Sequence, residues 1–396
     1  MEALLFLIAT AAVIGLLIVP AVRRRRELRG GGGFPVRVPG PDRYGFVPPE
    51  QLDVRLPGPD RELIEALEET QRTQDWRPVA RLLALTGDDW ELRWQRVQSL
   101  AGAAAVELAQ SRTAPSPDAP TESSAPSAPS LRKDAPAEPA APRDARWLRE
   151  WRASSPRDAA CAQVYAQFLV WQALGDTGSA DRRIILEEAR DIAREAARLA
   201  PADPTAHIVE LFAARAQGVR RADFEELWEE VRRRVPHHMG AHLVALPYWS
   251  ARNQGSREDA YAFAQTAAGS APEGSLLPAL PLFAVYDHLP EANMVSGLYH
   301  SAVVEQAIEG ARYALHHAPD DHPVAPHVRH LLLCFLVRAE RYAEAMEQVR
   351  AVDGYVGAVP WVDGGDPAAE YAAYRALAVA GYESRGGDAA HTPPTH

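Results

Sequence analysis

The stretch EARDIAREAARLAPADPTAH, residues 188–207, shows the pattern that decides the fold. Alanine, isoleucine and leucine recur in it at three- and four-residue steps among charged residues, which predicts an amphipathic helix. We expect this helix to end at Leu199-Ala200-Pro201, because proline cannot continue a helix. The same kind of end recurs at steps of 35, 36 and 47 residues, at Arg234-Val235-Pro236, Ser270-Ala271-Pro272 and His317-Ala318-Pro319.

The spacing of these ends predicts a helical repeat, since a period near 34 residues is typical of helix–turn–helix units. Gly218 and Gly255 divide two of the units. The helices expected in pairs are Ala206–Gln217 with Phe224–Arg234, Ala241–Ala251 with Arg257–Ala268, and Val324–Val337 with Tyr342–Val352. Short amphipathic pairs bury their apolar faces only by stacking. The sequence therefore predicts an all-α fold, with a solenoid of antiparallel helix pairs over residues 143–385.

Two segments resemble tetratricopeptide repeats (TPR). Glu188–His207 is similar to the second helix and proline turn of such a repeat, and Glu340–Val349 looks like the turn and second-helix start of another. The chain is also similar to an uncharacterised, actinobacterial-looking family of bacterial TPR-like proteins, a domain of unknown function. The positions that carry this likeness are Asp75-Trp76, Trp90-Glu91-Leu92-Arg93, Trp147-Leu148-x-x-Trp151 and Trp249-x-x-Arg252-x-x-Gly255-Ser256. The resemblance implies one TPR-like array over residues 60–385 and supplies no catalytic residues.

Residues 1–29 are predicted to form a transmembrane anchor with a basic flank. Ala3–Val22 holds 20 residues without a charge, which as a helix would span about 30 Å, the thickness of a bilayer's hydrocarbon core. Arg23–Arg26 follows at once. The positive-inside rule then predicts a single-pass protein of a bacterial inner membrane, with its N-terminus outside and its body cytoplasmic. A cleaved signal peptide is the alternative, but it would need a basic region before the apolar run.

The remaining chain divides by composition. Residues 30–59 are predicted to be a Gly/Pro-rich juxtamembrane tether, and residues 60–112 the first helices of the array. Residues 113–142 contain eight Pro, eight Ala and five Ser, with Leu131 as the one hydrophobic residue larger than alanine. Such a segment cannot offset its chain entropy by burial, so we predict a disordered insertion there and a disordered tail over residues 386–396.

Charge and motifs exclude several functions. The chain carries a net charge of −11, and an acidic body argues against nucleic-acid binding, which needs a basic face. Cys161 and Cys334 form neither a disulfide framework nor a zinc signature. The sequence has no phosphate-binding loop and no GxSxG nucleophile elbow, so we expect no catalysis and no cofactor.

The histidines are the candidates for a metal site. His238 and His242 have the i, i+4 spacing that can hold one metal ion, but the glutamate of HExxH is missing and Gly240 lies inside the pair. A third ligand would have to come from His207 or from a second group, which comprises His316, His317, His322, His327 and His330. Most of these histidines lie near proline turns, where a polar side chain can cap a helix end. We therefore predict capping or core roles for them.

Two functions follow. The first is a membrane-anchored helical-repeat scaffold or adaptor that holds another protein on its concave surface at the cytoplasmic face, without catalysis. The second is a cryptic metal-dependent enzyme that uses the histidine groups. Aromatic residues at helical spacing are predicted to be core and not a peptide-binding ladder; they are Trp228, Tyr248, Trp249 and Phe263.

Overall fold

The computed structural model describes residues 43–113, 144–290 and 297–387. In these ranges the protein is all-α, as predicted, with fifteen α-helices and no strand beyond an isolated bridge between Asp53 and Tyr355. The helices are α1 Arg61–Thr73, α2 Arg77–Thr86, α3 Trp90–Thr113, α4 Arg146–Ser154, α5 Ala159–Gly175, α6 Arg182–Leu199, α7 Thr205–Gln217, α8 Arg221–Arg234, α9 Met239–Ala245, α10 Arg257–Gly269, α11 Leu280–Asp287, α12 Ala302–His317, α13 Ala325–Arg338, α14 Tyr342–Val352 and α15 Pro367–Ser384.

The predicted helix ends agree with the structure to within a few residues, with one exception. α7 ends at Gln217 and is capped by Gly218, whose φ of 67° lets its N–H bond back to the carbonyls of Ala214 and Arg215. The exception is the helix expected over 241–251, where α9 stops at Ala245 and a 3-10 helix, Leu246–Trp249, follows. Pro247 has no N–H to donate to the preceding turn, which ends the α-helical bonding there.

Alternate helices differ in burial. α5, α7, α9, α11 and α13, here called the inner helices, each contact the next in that order, and all eight residues of α11 are buried. The helices that alternate with them in sequence, α6, α8, α10, α12 and α14, bury one face, mostly at three- and four-residue steps. In α10 that stripe is Ala260, Ala264 and Ala267. The apolar period of the sequence thus places one face of each of these helices on the core.

Helix α3 lies against the inner helices α5, α7 and α9. No residue from 91 to 111 is exposed. Arg93 connects this helix to residues far along the chain: its Nε donates to Asp203 over 2.6 Å, and its guanidinium also bonds Gln163. Trp76 and Trp151 stack with ring centroids 5.6 Å apart. The helices on the two sides of the predicted insertion therefore share one core.

Residues 43–59, here called the strap, pack along α13–α15. The Val47 N–H donates to Asp353 over 2.7 Å, and the backbone of Asp53 bonds both Gly354 and Val356. This segment belongs to the stretch that the sequence predicts to be a tether. It has no apolar period, yet Leu52 and Leu56 are buried.

Several predictions concern residues outside the described ranges. Ala3–Val22 lies there, as do the insertion and the tail apart from their first residues. Across the fifteen described helices, none combines the length and the apolar character needed to span a membrane.

Candidate functional site

An open cleft of about 500 Å³ lies where four inter-helix turns meet. Its walls come from the α2–α3 turn with the start of α3, the α8–α9 turn, the turn after α10, and the α12–α13 turn. The lining residues are Asp88, Asp89, Trp90, Glu91, Arg234, Val235, Pro236, His237, His238, Pro272, Glu273, Gly274, Ser275 and His322. The inner helices α9 and α13 begin at this end of the molecule, and so does α3.

Glu91 joins the start of α3 to the start of α9. Its carboxylate accepts hydrogen bonds from the N–H groups of Met239 and Gly240, the latter over 3.1 Å. These are two of the N–H groups that a helix cannot satisfy internally. A carboxylate at this place also interacts favourably with the positive end of the helix dipole. One wall of the cleft is thereby fixed by a charge from a residue about 150 positions earlier in the chain.

His238 caps α9 from the other side. Its Nδ1 accepts from the Ala241 N–H over 3.0 Å, and its Nε2 lies 3.1 Å from the Trp90 carbonyl, to which it donates. Both ring nitrogens therefore hold backbone groups. The Glu91 carboxylate is 3.1 Å from the same Nδ1. This side chain is buried, and its role in the structure is to hold α3 and α9 together.

Packing explains why residue 240 is a glycine. A Cβ at this position would lie 2.5 Å from Cδ1 of Trp94, so a side chain cannot be placed there without moving the indole. The close approach of α3 and α9 thus requires the glycine that separates His238 from His242 in the sequence.

His322 forms part of the opposite wall. Its Nδ1 accepts from the Val324 N–H over 3.2 Å, just before α13 begins. Burial lowers the pKa of His322 below its ordinary value, and the carboxylates of Glu91 and Asp89 partly oppose that shift. The imidazole is therefore mostly neutral at pH 7 and can exchange hydrogen bonds with a ligand in the cleft.

The cleft has an excess of carboxylates. Four acidic residues line it against one arginine, Arg234, whose guanidinium is bound to Glu230. Asp89 caps α3 by accepting from the Leu92 N–H over 3.1 Å. Asp88 and Glu273 are exposed and make no hydrogen bond or ion pair with any residue that the structure describes. These two carboxylates are the ones available to a ligand.

The other histidines lie elsewhere. His242 is buried against Trp228, and burial lowers its pKa to about 4. His327 and His330 are buried in α13, His207 is half-buried in α7, and His316 with His317 is exposed at the end of α12. The structure therefore brings His237, His238 and His322 to one cleft, whereas His207, His242 and the rest of the second histidine group lie outside it. In the ranges 43–113, 144–290 and 297–387, no three His, Cys, Asp or Glu side chains are grouped so that they could hold a metal ion.

The inner helices leave little surface free in the part of the chain that the structure describes. The inner helices are buried around most of their circumference, and α3 lies against three of them. Trp228, Tyr248 and Trp249 are buried, and Phe263 packs beside Trp228 with ring centroids 5.4 Å apart. These aromatic side chains form core and present no ladder to a peptide.

Comparison with protein-family models, with curated proteins and with solved structures finds no match to this chain. The TPR-like resemblance therefore remains a prediction.

Sequence reasoning did not find the cleft. Asp88 and Asp89 precede the helical pattern that begins at Trp90, which indicates no more than a helix start, and Glu273 belongs to no motif. A weak signal was available: acidic residues and histidines both accumulate at helix ends, in Asp88-Asp89 and in His237-His238. Only the packing of α3 on α9 shows that these ends adjoin.

Proposed function

We propose that this protein is a membrane-anchored, TPR-like helical scaffold at the cytoplasmic face of a bacterial inner membrane, and that it binds a basic segment of another protein in the cleft. The array would be a solenoid of helix pairs behind the predicted anchor Ala3–Val22. The protein would bind the bilayer through its anchor and one partner protein through the cleft. It would catalyse no reaction.

The open cleft with its two available carboxylates is the observation that carries this proposal. A volume of about 500 Å³ lies within the range of roughly 300–1,000 Å³ that is typical of ligand pockets. Asp88 and Glu273 can each accept a charge-assisted hydrogen bond from a lysine or arginine side chain. His322 can form a further hydrogen bond. A segment with one or two basic side chains matches this chemistry.

The alternation of fully buried and amphipathic helices supports the solenoid. Each inner helix contacts the next inner helix, and an amphipathic helix lies between them in sequence. Stacked helix pairs have this arrangement because neither member of a pair can bury its apolar face alone. Helix α3 fills the inner surface, so we place partner binding at the cleft end and not along the inner helices.

The binding proposal is tested by removing charge from the cleft. The double variant Asp88→Asn with Glu273→Gln keeps the shapes of both side chains but removes both available negative charges. We expect it to lose partner capture from a detergent extract and to lose binding of a short arginine-rich peptide. Glu258→Gln is the matched control, since this exposed carboxylate lies at the other end of α10. Equal capture by the double variant and by the wild type would place the binding surface elsewhere.

The proposed anchor is tested by determining the membrane topology of the full chain. A reporter that is active only in the cytoplasm, fused after His396, should be active in cells, and the full chain should fractionate with membranes. Activity from an exported reporter at the same position would reverse the topology.

A further inference from the structure

We propose that the cleft faces away from the bilayer, because the strap brings the anchor to the opposite end of the helical body. This inference rests on the anchor of the proposed function. It goes further by assigning one end of the body to the membrane side and the binding cleft to the cytosolic side.

The strap begins at the C-terminal ends of α13 and α15. Arg43 Nη1 lies 3.3 Å from the Glu383 carboxylate, and the Tyr44 hydroxyl donates to the same carboxylate over 3.1 Å. Glu383 is in the last turn of α15. Arg385 pairs with Glu340 over 3.3 Å, so the end of α13 lies at the same place. The first described residues of the chain are thus fixed at this end.

The strap ends at the start of α13. His330 Nε2 donates to the Pro57 carbonyl over 2.9 Å. Gly58 lies against the first turn of the helix, where a Cβ would be 2.5 Å from Cγ of Pro326. His322, four residues before Pro326, already lines the cleft. The strap therefore runs opposite to α13, from the far end of the body to the cleft end.

The length of α13 sets the separation. From Pro326 to Arg338 the helix rises about 18 Å at 1.5 Å per residue. The point at which the chain enters the body is accordingly about 20 Å from the cleft along the direction of the inner helices. The cleft and the entry point lie at opposite helix ends.

Buried polar contacts hold the strap in place. The Asp353 carboxylate accepts from the Val47 N–H over 2.7 Å, from Arg375 over 2.7 Å and from the Tyr371 hydroxyl over 3.1 Å. Arg375 also donates to the Val47 carbonyl over 2.8 Å. Asp353 and Arg375 are about nine-tenths buried. Breaking such a pair on one side leaves an uncompensated buried charge, which is strongly destabilising. The strap therefore stays on α13–α15 and keeps the entry point there.

The anchor is close to this entry point in sequence. Residues 23–42, twenty in all, separate Val22 from Arg43, and a flexible chain of that length has a root-mean-square span of roughly 25 Å. Because the body is attached to the anchor through this entry point, the C-terminal ends of α13 and α15 would on average be the part of the body nearest the bilayer. A soluble partner could reach Asp88 and Glu273 without contacting lipid headgroups.

Fluorescence quenching in vesicles tests this orientation. The full chain is reconstituted into lipid vesicles that carry a headgroup nitroxide quencher, and a thiol-reactive fluorophore is placed either at the strap end, with Ser384→Cys, or in the cleft, with Glu273→Cys. Both positions are exposed, whereas Cys161 and Cys334 are buried. Since about 20 Å separates the two helix ends, we expect at least roughly twofold stronger quenching at position 384. Asp88→Cys provides a second cleft label.

The outcomes separate the two proposals. Vesicle-bound protein with equal quenching at both ends, or with stronger quenching at 273 and 88, overturns the orientation and leaves the anchor intact. A full chain that does not float with the vesicles overturns the anchor, and the orientation with it.

Discussion

Along the strap, the Asp353 carboxylate accepts hydrogen bonds from three buried or half-buried groups, whereas in the cleft the carboxylates of Asp88 and Glu273 are exposed and bind no described residue. The strap runs along α13, and the cleft lies beside the start of that helix, where His322 lines it. The comparison shows two uses of carboxylates in one molecule. Along the strap a carboxylate holds neighbouring segments together, whereas at the cleft two carboxylates remain accessible to solvent and to a ligand. Three predictions test this contrast.

The largest expected effect is a loss of stability in acid. Burial lowers the pKa of His242 and of His330 to about 4, and that of His327 to about 3. Because these values lie below the unfolded value of about 6.5, the neutral imidazoles contribute their full stability above pH 6.5 and lose it as the pH falls toward 4. Between pH 7 and pH 5 the loss of stability should be slightly under about 2 kcal/mol for each histidine, or about 5.5 kcal/mol for the three together.

Urea denaturation at pH 7 and at pH 5 measures this loss. The control variant is His237→Gln, in the exposed part of the cleft. This variant should lose as much stability between pH 7 and pH 5 as the wild type does, because the side chain of His237 lies in solvent. An unfolding midpoint that is the same at both pH values would contradict the prediction.

The second effect concerns Trp361, which is connected to the strap through His330. Trp361 is fully buried, and its Nε1–H donates to Nδ1 of His330 over 2.9 Å, while the other nitrogen of that ring holds Pro57. Trp361→Ala should lower the free energy of unfolding by about 4 kcal/mol, since it creates a cavity and removes a donor. Glu273→Ala in the cleft should change it by less than about 0.5 kcal/mol. Comparable losses in thermal or urea unfolding would remove the distinction between the two regions.

The third effect is smaller and concerns the contact between α3 and α9, the two helices whose first residues adjoin at the cleft. Gly240→Ala places a Cβ against Trp94, so we expect a destabilisation of about 1–3 kcal/mol. Gly175→Ala is the control, because an added Cβ at the end of α5 meets no atom within 4 Å. That change should be neutral or stabilising by up to about 1 kcal/mol. Equal effects of the two substitutions on the melting temperature would show that the α3–α9 contact is looser than described.

The helices were predictable because their signals are local. The apolar step in α6 and the prolines after α6, α8, α10 and α12 act within one or two turns, and each end could be read from a few neighbouring residues. Helix α3 was harder, since Gln95 and Gln98 are buried among its apolar residues. A pattern of polar residues does not show that another layer of helices covers them.

The strap and the cleft could not be predicted because they depend on distant contacts. Leu52 and Leu56 lie among prolines and follow no helical or strand period, so nothing local distinguishes them from a tether. His238 and His322 are 84 residues apart. They lie at one cleft because of the number of helices between them and the packing of α3 against α9.

The strap also has a consequence for the order in which the molecule folds during synthesis. Arg43 leaves the ribosome early, but its partner Glu383 is 340 residues later in the chain. Contacts between such distant residues form slowly, since a long loop must close first. Domains otherwise tend to fold from the N-terminus as they are synthesised. In this protein the native contacts of the first described residues form only after the last helices have been synthesised. These residues are therefore among the last to acquire their native contacts.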